Sequence, residues 1–257
     1  MNIEILISTI DDGLFKIAAN NEYDYLIVHQ ITNNYKADEY RAYFENRIKS
    51  KKIKYIQSNL IGLSKSRNIA LDNASGDILW IMDDDVKILN GLTSVINKKM
   101  KENHDILILN HQYSNEINII EKKMKEYNHN IISSAKICSI DICMKKEVTE
   151  KLRFDENFGL GTDYPSGEEF IFISNAIKNG YSVHQTDIIA SIHPPISSGL
   201  DFFSTKNKTL AKRKMFDQVF NKFGILFTTL FFIKKINLLY RNKKIWFFIK
   251  NAILNNK

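Results

Sequence analysis

The chain has 257 residues, of which 44% are hydrophobic and 25% charged, with only ten glycines and three prolines. That composition supplies apolar surface for a substantial core and excludes collagen-like, low-complexity and wholly disordered chains. Net charge is +7 but unevenly spread: from Lys206 onward thirteen basic residues face the single acid Asp217, so a tail of +12 follows a body of −5.

Residues 3–8 read as a buried strand, 14–19 as a helical segment and 24–29 as a second strand with Leu26-Ile27-Val28 at its centre. A third strand at 53–57 leads through Gly62 into a helix over 64–74, with Ser64 as its cap and Gly76 as its stop signal. Residues 78–82 form a nearly all-apolar fourth strand. Beyond it the pattern predicts a strand at 105–109, a polar helix at 116–125, a strand at 137–144 and a helix at 147–152. A glycine-rich loop at 158–167, a helix at 168–179 and strands near 181–185 and 188–193 complete the body. Alternation of strands with helices argues for a doubly wound α/β architecture, a mostly parallel, Rossmann-like sheet covered on both faces. Such sheets bind ligands beyond the carboxyl ends of their strands. The expected division is a catalytic body over 1–205 and a basic helical extension over 206–257.

Cys138 and Cys143 stand five residues apart in the run read as a strand, where alternation points them to opposite faces, so no disulfide is expected. Met1-Asn2-Ile3-Glu4 has no basic stretch leading into an apolar signal core, and the expected compartment is the reducing cytoplasm.

Asp83-Asp84-Asp85 follows the apolar strand at once, placing three carboxylates at the ligand-binding edge of the sheet. Carboxylate oxygens suit Mg²⁺ or Mn²⁺, which neutralise a nucleotide leaving group; a solvated acidic turn is the alternative. In Gly62-Leu63-Ser64-Lys65-Ser66-Arg67-Asn68, Arg67 and Asn68 fall in the first turn of a helix whose free N–H groups favour an anion, or on an ordinary capped surface helix. Gly167-Glu168-Glu169 ends the turn-rich loop with two acids at a helix start, suited to dipole compensation or to general-base work. His193, before Pro194-Pro195, is a structural histidine or a metal ligand.

The ordered set, Gly-Leu-Ser-x-x-Arg-Asn, strand-Asp-Asp-Asp, Phe154-Asp155-Glu156-x-Phe158-Gly, Gly167-Glu168-Glu169 and a strand ending in His193, resembles the inverting family 2 glycosyltransferases of GT-A fold over residues 3–196. The resemblance implies a sugar moved with inversion from a nucleotide-sugar donor, in particular a UDP-sugar, to a glycan or lipid-linked acceptor in capsule, O-antigen or exopolysaccharide synthesis. It implies Glu169 as catalytic base with Glu168 binding an acceptor hydroxyl. Asp85, Asp83 and His193 would hold Mn²⁺ or Mg²⁺. Ser8, Thr9, Asp11, Arg67, Asn68, Asp83 and Asp84 would lie on the donor side. A nucleotidyltransferase lacks support from a glycine-rich, lysine-containing loop, since Ser8-Thr9-Ile10-Asp11-Asp12-Gly13 follows the first strand. A non-catalytic nucleotide-sugar-binding or membrane-scaffold module would keep the fold without turnover.

In the tail, the apolar run 223–233 is too short to span a bilayer as a helix and is followed by Lys234-Lys235. With Leu238-Leu239-Tyr240, Arg241, Lys243, Lys244 and Ile245-Trp246-Phe247-Phe248-Ile249, it has the mixture of large apolar groups and lysines found in peripheral helices on anionic membranes. Packing on the body or a dimer contact are the alternatives. No nucleic-acid reader motif accompanies the positive charge.

Overall fold

The computed structural model describes residues 1–114, 125–194 and 201–254. In chain order its strands are β1 (Ile3–Ile10), β2 (Asp24–Gln30), β3 (Ile53–Ser58), β4 (Ile78–Asp83), β5 (Lys87–Ile88), β6 (Ile106–Tyr113), β7 (Tyr127–Asn128), β8 (Ile142–Lys145) and β9 (Val183–His193). The helices are α1 (Ala37–Tyr43), α2 (Leu63–Asn73), α3 (Thr93–Lys101), α4 (Val148–Lys151), α5 (Glu168–Lys178), α6 (Lys206–Phe220), α7 (Gly224–Arg241) and α8 (Ile245–Phe248). All nine strands join one sheet in the order β3-β2-β1-β4-β8-β6-β9-β5, with β7 beside β9. β1, β2, β3, β4, β6 and β9 run one way, and β8, β5 and β7 run against them, which is a mostly parallel sheet.

The continuous apolar runs of β1, β2 and β4 follow from burial on both faces. Successive side chains of a strand point to opposite faces, and two cores result. Ile3, Ile5, Ile7, Tyr25, Ile27, Ile78, Trp80 and Met82 fill one. Leu6, Leu26, Val28, Leu79 and Ile81 fill the other, beneath α2 and α5. Two polar groups inside this body are satisfied. Trp80, with no exposed surface, donates its indole N–H to the Ile140 carbonyl at 2.7 Å. The buried Glu4 carboxylate accepts from the Ser75 and Gly76 amides at 2.6 and 2.7 Å, so Gly76 is a β1 contact beyond the end of α2 at Asn73.

Several local expectations are corrected. The segment read as a helix at 14–19 is a 3₁₀ turn at Asp11–Lys16 that brings the chain back over the end of β1. The strand expected at 137–144 shrinks to β8, because a 3₁₀ turn at Ser139–Asp141 interrupts it; Cys138 lies before that turn and both cysteines are free. The two strands near 181–185 and 188–193 are one irregular strand, with shifted register opposite Asn110. The Asn110 amide donates to the Thr186 and Ile188 carbonyls there, taking the place of ladder bonds lost at the irregularity. α2 starts one residue before Ser64, whose hydroxyl donates to the Phe158 carbonyl at 2.6 Å and does not cap the helix. The helix expected at 116–125 falls almost wholly outside the described residues.

The tail packs on the body. α6 lies on α5 through Phe158, Phe170, Ile171, Met215, Phe216 and Val219. At Asn221 the chain takes a φ of 51° and folds back, bringing the Phe216 and Phe231 rings to 5.9 Å and stacking Phe220 on Phe227 at 3.6 Å. Residues fifteen apart in one straight helix would stand about 22 Å apart, so α6 and α7 are a hairpin. A second apolar cluster of Phe202, Leu239, Phe248 and Ala252 ties the last helices to α7.

Candidate active site

β1 and β4 are paired in register, with Ser8 opposite Asp83, so the carboxyl ends of both central strands open at one edge. There a cleft of about 640 Å³ is lined by residues that include Ser8, Thr9, Gly13, Lys16, Gln30 and Arg67. Asp83, Asp84, Asp85, His111, Tyr113, Cys138, Glu168, Glu169 and His193 line it too.

The three aspartates have separate environments. Asp83 accepts from Arg67 Nη2 at 3.2 Å. Asp84 accepts from the Thr9 hydroxyl at 2.5 Å, and burial pushes its carboxyl above the ordinary range against that bond. Gly13 allows this clamp, because a Cβ there would collide with both the Asp84 carboxylate and the Thr9 hydroxyl. Asp85 faces the cleft with Oδ1 3.9 Å from His193 Nε2. The other His193 ring nitrogen, Nδ1, lies 2.5 Å from the Pro194 carbonyl and donates to it, which leaves Nε2 on the side of Asp85.

A second cluster stands nearby. His111 Nδ1 is 3.0 Å from both oxygens of the buried Asp141, and His111, Cys138 and Asp141 offer ligand atoms within 4.8 Å of one another. Burial alone would lower the His111 pKa, but the Asp141 carboxylate holds it above the usual imidazole value. Burial pushes the Cys138 thiol up to about 12, so it is a neutral group in the absence of a bound cation.

Arg67 joins the two acidic ends. It is 1% exposed, and its guanidinium donates to Asp83 and, through Nη1 at 3.0 Å, to Glu168, while its flat face lies 5.4 Å from the Phe154 ring. Glu168 is buried by this pair. Glu169 opens partly on the cleft, and burial, reinforced by the adjacent Glu168 charge, pushes its carboxyl up to about 8 against the pull of Arg67 and Lys212. Both acids begin α5, which starts after Gly167 at a φ of +106°.

Ser8, Thr9, Arg67, Asp83, Asp84, Asp85, Glu168, Glu169 and His193 therefore meet in one cleft. Asp11 does not line it: its carboxylate accepts from the Thr32 amide and hydroxyl at 2.9 and 2.6 Å, and its backbone sits at a φ of 45°. Asn68 is engaged elsewhere, exchanging hydrogen bonds with the Phe154 backbone at 2.9 and 3.0 Å and donating to Glu156 at 3.1 Å. Arg67 and Asn68 stand in the second turn of α2, one turn past the free amides. Lys16, His111 and Tyr113 were not singled out in the sequence, and Cys138 was read only for its redox state; His111 and Tyr113 would follow from letting β6 run four residues beyond 109.

A family model, Glycosyl transferase family 2, matches residues 14–162, more than half of the chain. The chain belongs to glycosyl transferase family 2. The match contains the aspartate cluster and ends before Glu168. Among solved structures, S. aureus TarS 1-349 in complex with UDP-GlcNAc is 16% identical with a TM-score of 0.60, covering 86% of this chain and 67% of that one. TarS 1-349 alone is 16% identical with a TM-score of 0.58, covering 86% and 66%, and a longer TarS chain is covered to 40%. The family 2 chain thus spans about two thirds of the shorter TarS chain and less than half of the longer one, and shares the GT-A fold with both. No curated protein sequence matches it.

Proposed function

We propose that this family 2 glycosyltransferase moves a sugar from a uridine diphosphate donor to a hydroxyl of a glycan or lipid-linked acceptor, with inversion, in the synthesis of a surface polysaccharide. The observation that carries the reading is a single cleft with Asp83-Asp84-Asp85 at the end of β4 and Glu168-Glu169 at the start of α5, joined by Arg67. The TarS complexes with UDP and with UDP-GlcNAc support the choice of donor class. Ser8, whose buried hydroxyl has no partner among the described residues, is suited to a donor contact.

Asp85 and His193 fit a hard divalent ion, because a carboxylate oxygen and an imidazole nitrogen face one another at 3.9 Å on the cleft wall. Mn²⁺ or Mg²⁺ held there would neutralise charge developing on the diphosphate. The His111, Cys138 and Asp141 set contains a protonated sulfur and suits such ions less well. Glu169 takes the acceptor hydroxyl proton as that oxygen bonds to the anomeric carbon; the bond from that carbon to the diphosphate breaks on the opposite face. Arg67, fixed by Glu168, holds Asp83 in place.

Calorimetry of the protein with UDP-GlcNAc, UDP-glucose and UDP, each with Mn²⁺, Mg²⁺ or chelator, tests this. Binding is expected with metal and lost both with chelator and in Asp85→Ala. Metal-independent binding unchanged in Asp85→Ala would overturn the metal assignment, and no binding of any of the three nucleotides would overturn the donor class.

The extension over 206–257 is proposed to rest on the anionic inner face of a membrane. Lys206–Arg241 has the length and composition of a span, and only 17% of its most apolar window is buried. Its hairpin shape supports an interfacial placement: Leu226, Leu230 and Ile233, each more than half exposed, form one stripe of α7 with Phe223 at its start. Lys222 and Lys234 flank that stripe. Replacing Leu226, Leu230 and Ile233 together by serine is expected to abolish cosedimentation with phosphatidylglycerol vesicles while circular dichroism stays unchanged. Unaltered cosedimentation would sink the membrane placement.

A further inference from the structure

A histidine, a cysteine and an aspartate meet where β6 and β8 approach the cleft. Antiparallel pairing sets Ile108 opposite Ile142, so the residues just after 108 face those just before 142. His111 and Asp141 come together there, with side chains 11% and 9% exposed. The Asp141 amide donates to the Cys138 carbonyl at 3.1 Å and closes the 3₁₀ turn, whose three-residue period brings the Cys138 and Asp141 side chains to one side. From inside the body, the Trp80 indole bonded to the Ile140 carbonyl at 2.7 Å fixes that turn.

Ligand atoms of His111, Cys138 and Asp141 lie within 4.8 Å of one another, and His111 Nδ1 is 3.0 Å from either Asp141 oxygen. In a tetrahedral zinc site, metal–ligand bonds of about 2.0–2.3 Å hold neighbouring ligand atoms about 3.3–3.6 Å apart. A small inward rotation of the side chains closes the set to that size. His111 and Cys138 both line the cleft, which gives an ion its way in and leaves one coordination position open.

The surroundings favour a cation. Charges acting on the Cys138 thiol are those of Asp141, Glu169 and Asp83, all negative. The buried Asp141 carboxylate is approached by the imidazoles of His111 and His193, and no lysine or arginine pairs with it among the described residues. A buried carboxylate whose counter-group is an imidazole gains from a metal ion.

We propose that His111, Cys138 and Asp141 form a second metal site, separate from Asp85 and His193, for a borderline-soft divalent ion such as Zn²⁺. The sulfur decides the ion class, since thiolate and imidazole suit Zn²⁺ whereas Mg²⁺ and Mn²⁺ prefer oxygen. On binding, the sulfur bonds to the metal and the thiol proton goes to solvent, while His111 binds as the neutral imidazole. Burial and the neighbouring carboxylates keep the free thiol protonated, and a dipositive ion reverses that balance. None of the three residues carries the donor or base assignments, so the site stands independently of them.

The experiment is a titration of the chelator-stripped full chain with Co²⁺, followed by absorption. The wild type is expected to develop a thiolate-to-cobalt charge-transfer band in the near ultraviolet, and Zn²⁺ should bleach it. Cys138→Ser should lose the band, and Asp141→Asn should weaken Co²⁺ binding at least about tenfold, a loss that even an outer-sphere partner produces. Cys143→Ala and Asp85→Ala should keep the band. Its absence from the wild type, its survival in Cys138→Ser or its loss in Asp85→Ala would each overturn the proposal, and the wild-type arm needs no variant to fold. Failure of any uridine nucleotide to bind would overturn the donor class and leave the cobalt result standing.

Discussion

Glu169→Gln is expected to bind nucleotide and metal as the wild type does and to lose transfer by about 10²- to 10⁴-fold, the range a positioned proton acceptor contributes. The amide preserves volume, and Arg67 remains bonded to Asp83 and Glu168, so the cleft has no reason to rearrange. The wild-type pH profile belongs to the same prediction. A base must be ionised to accept a proton; with the Glu169 carboxyl raised to about 8, kcat/KM should climb as pH rises through that value and fall below it. Steady-state rates of nucleoside diphosphate release check both. Full transfer by the Gln variant would remove Glu169 from the role, and a limb near the ordinary carboxyl range would overturn its raised pKa.

Arg67→Met should lower stability by about 3–5 kcal/mol, the cost typical of removing one partner of a buried ion pair. The effect is large because Arg67 is 1% exposed and serves Asp83 and Glu168 at once, so its loss leaves Glu168 buried without its cation. Arg67→Lys should recover only part of it, since one ammonium lacks the planar fork that reaches two carboxylates. Urea unfolding measures this. A loss below about 1 kcal/mol would mean that water or relaxation already compensates the pair, as at exposed ion pairs.

The central strands were legible because burial on both faces writes itself as unbroken apolar runs, and acids directly after such a run must emerge at a sheet edge. Asp83, Asp84 and Asp85 were read that way, whereas Glu169 was read from the turn-rich loop before α5 and from the family resemblance. Asp11, expected on the donor side, does not line the cleft, because a positive φ and a bond to Thr32 turn it away, and neither is written in local pattern. Asn68 pairs with a backbone 86 residues away, a contact that the helix sequence around it does not encode. Cys138 was assigned to a strand because its neighbours are apolar, and the 3₁₀ turn that follows it answers instead to the buried His111–Asp141 pair. In the tail, charge drew attention to the lysines, while the feature that joins α6 to the body is the stripe of Met215, Phe216 and Val219 between them.

The two tryptophans sit at opposite extremes of this architecture, Trp80 sealed between β4 and the Ile140 carbonyl and Trp246 67% exposed at the start of α8. Their indoles thus experience different polarity, and the emission of the native protein is the sum of an apolar and an aqueous component. One chromophore reports on the interior of the catalytic body and the other on the surroundings of the hairpin, without any label being added.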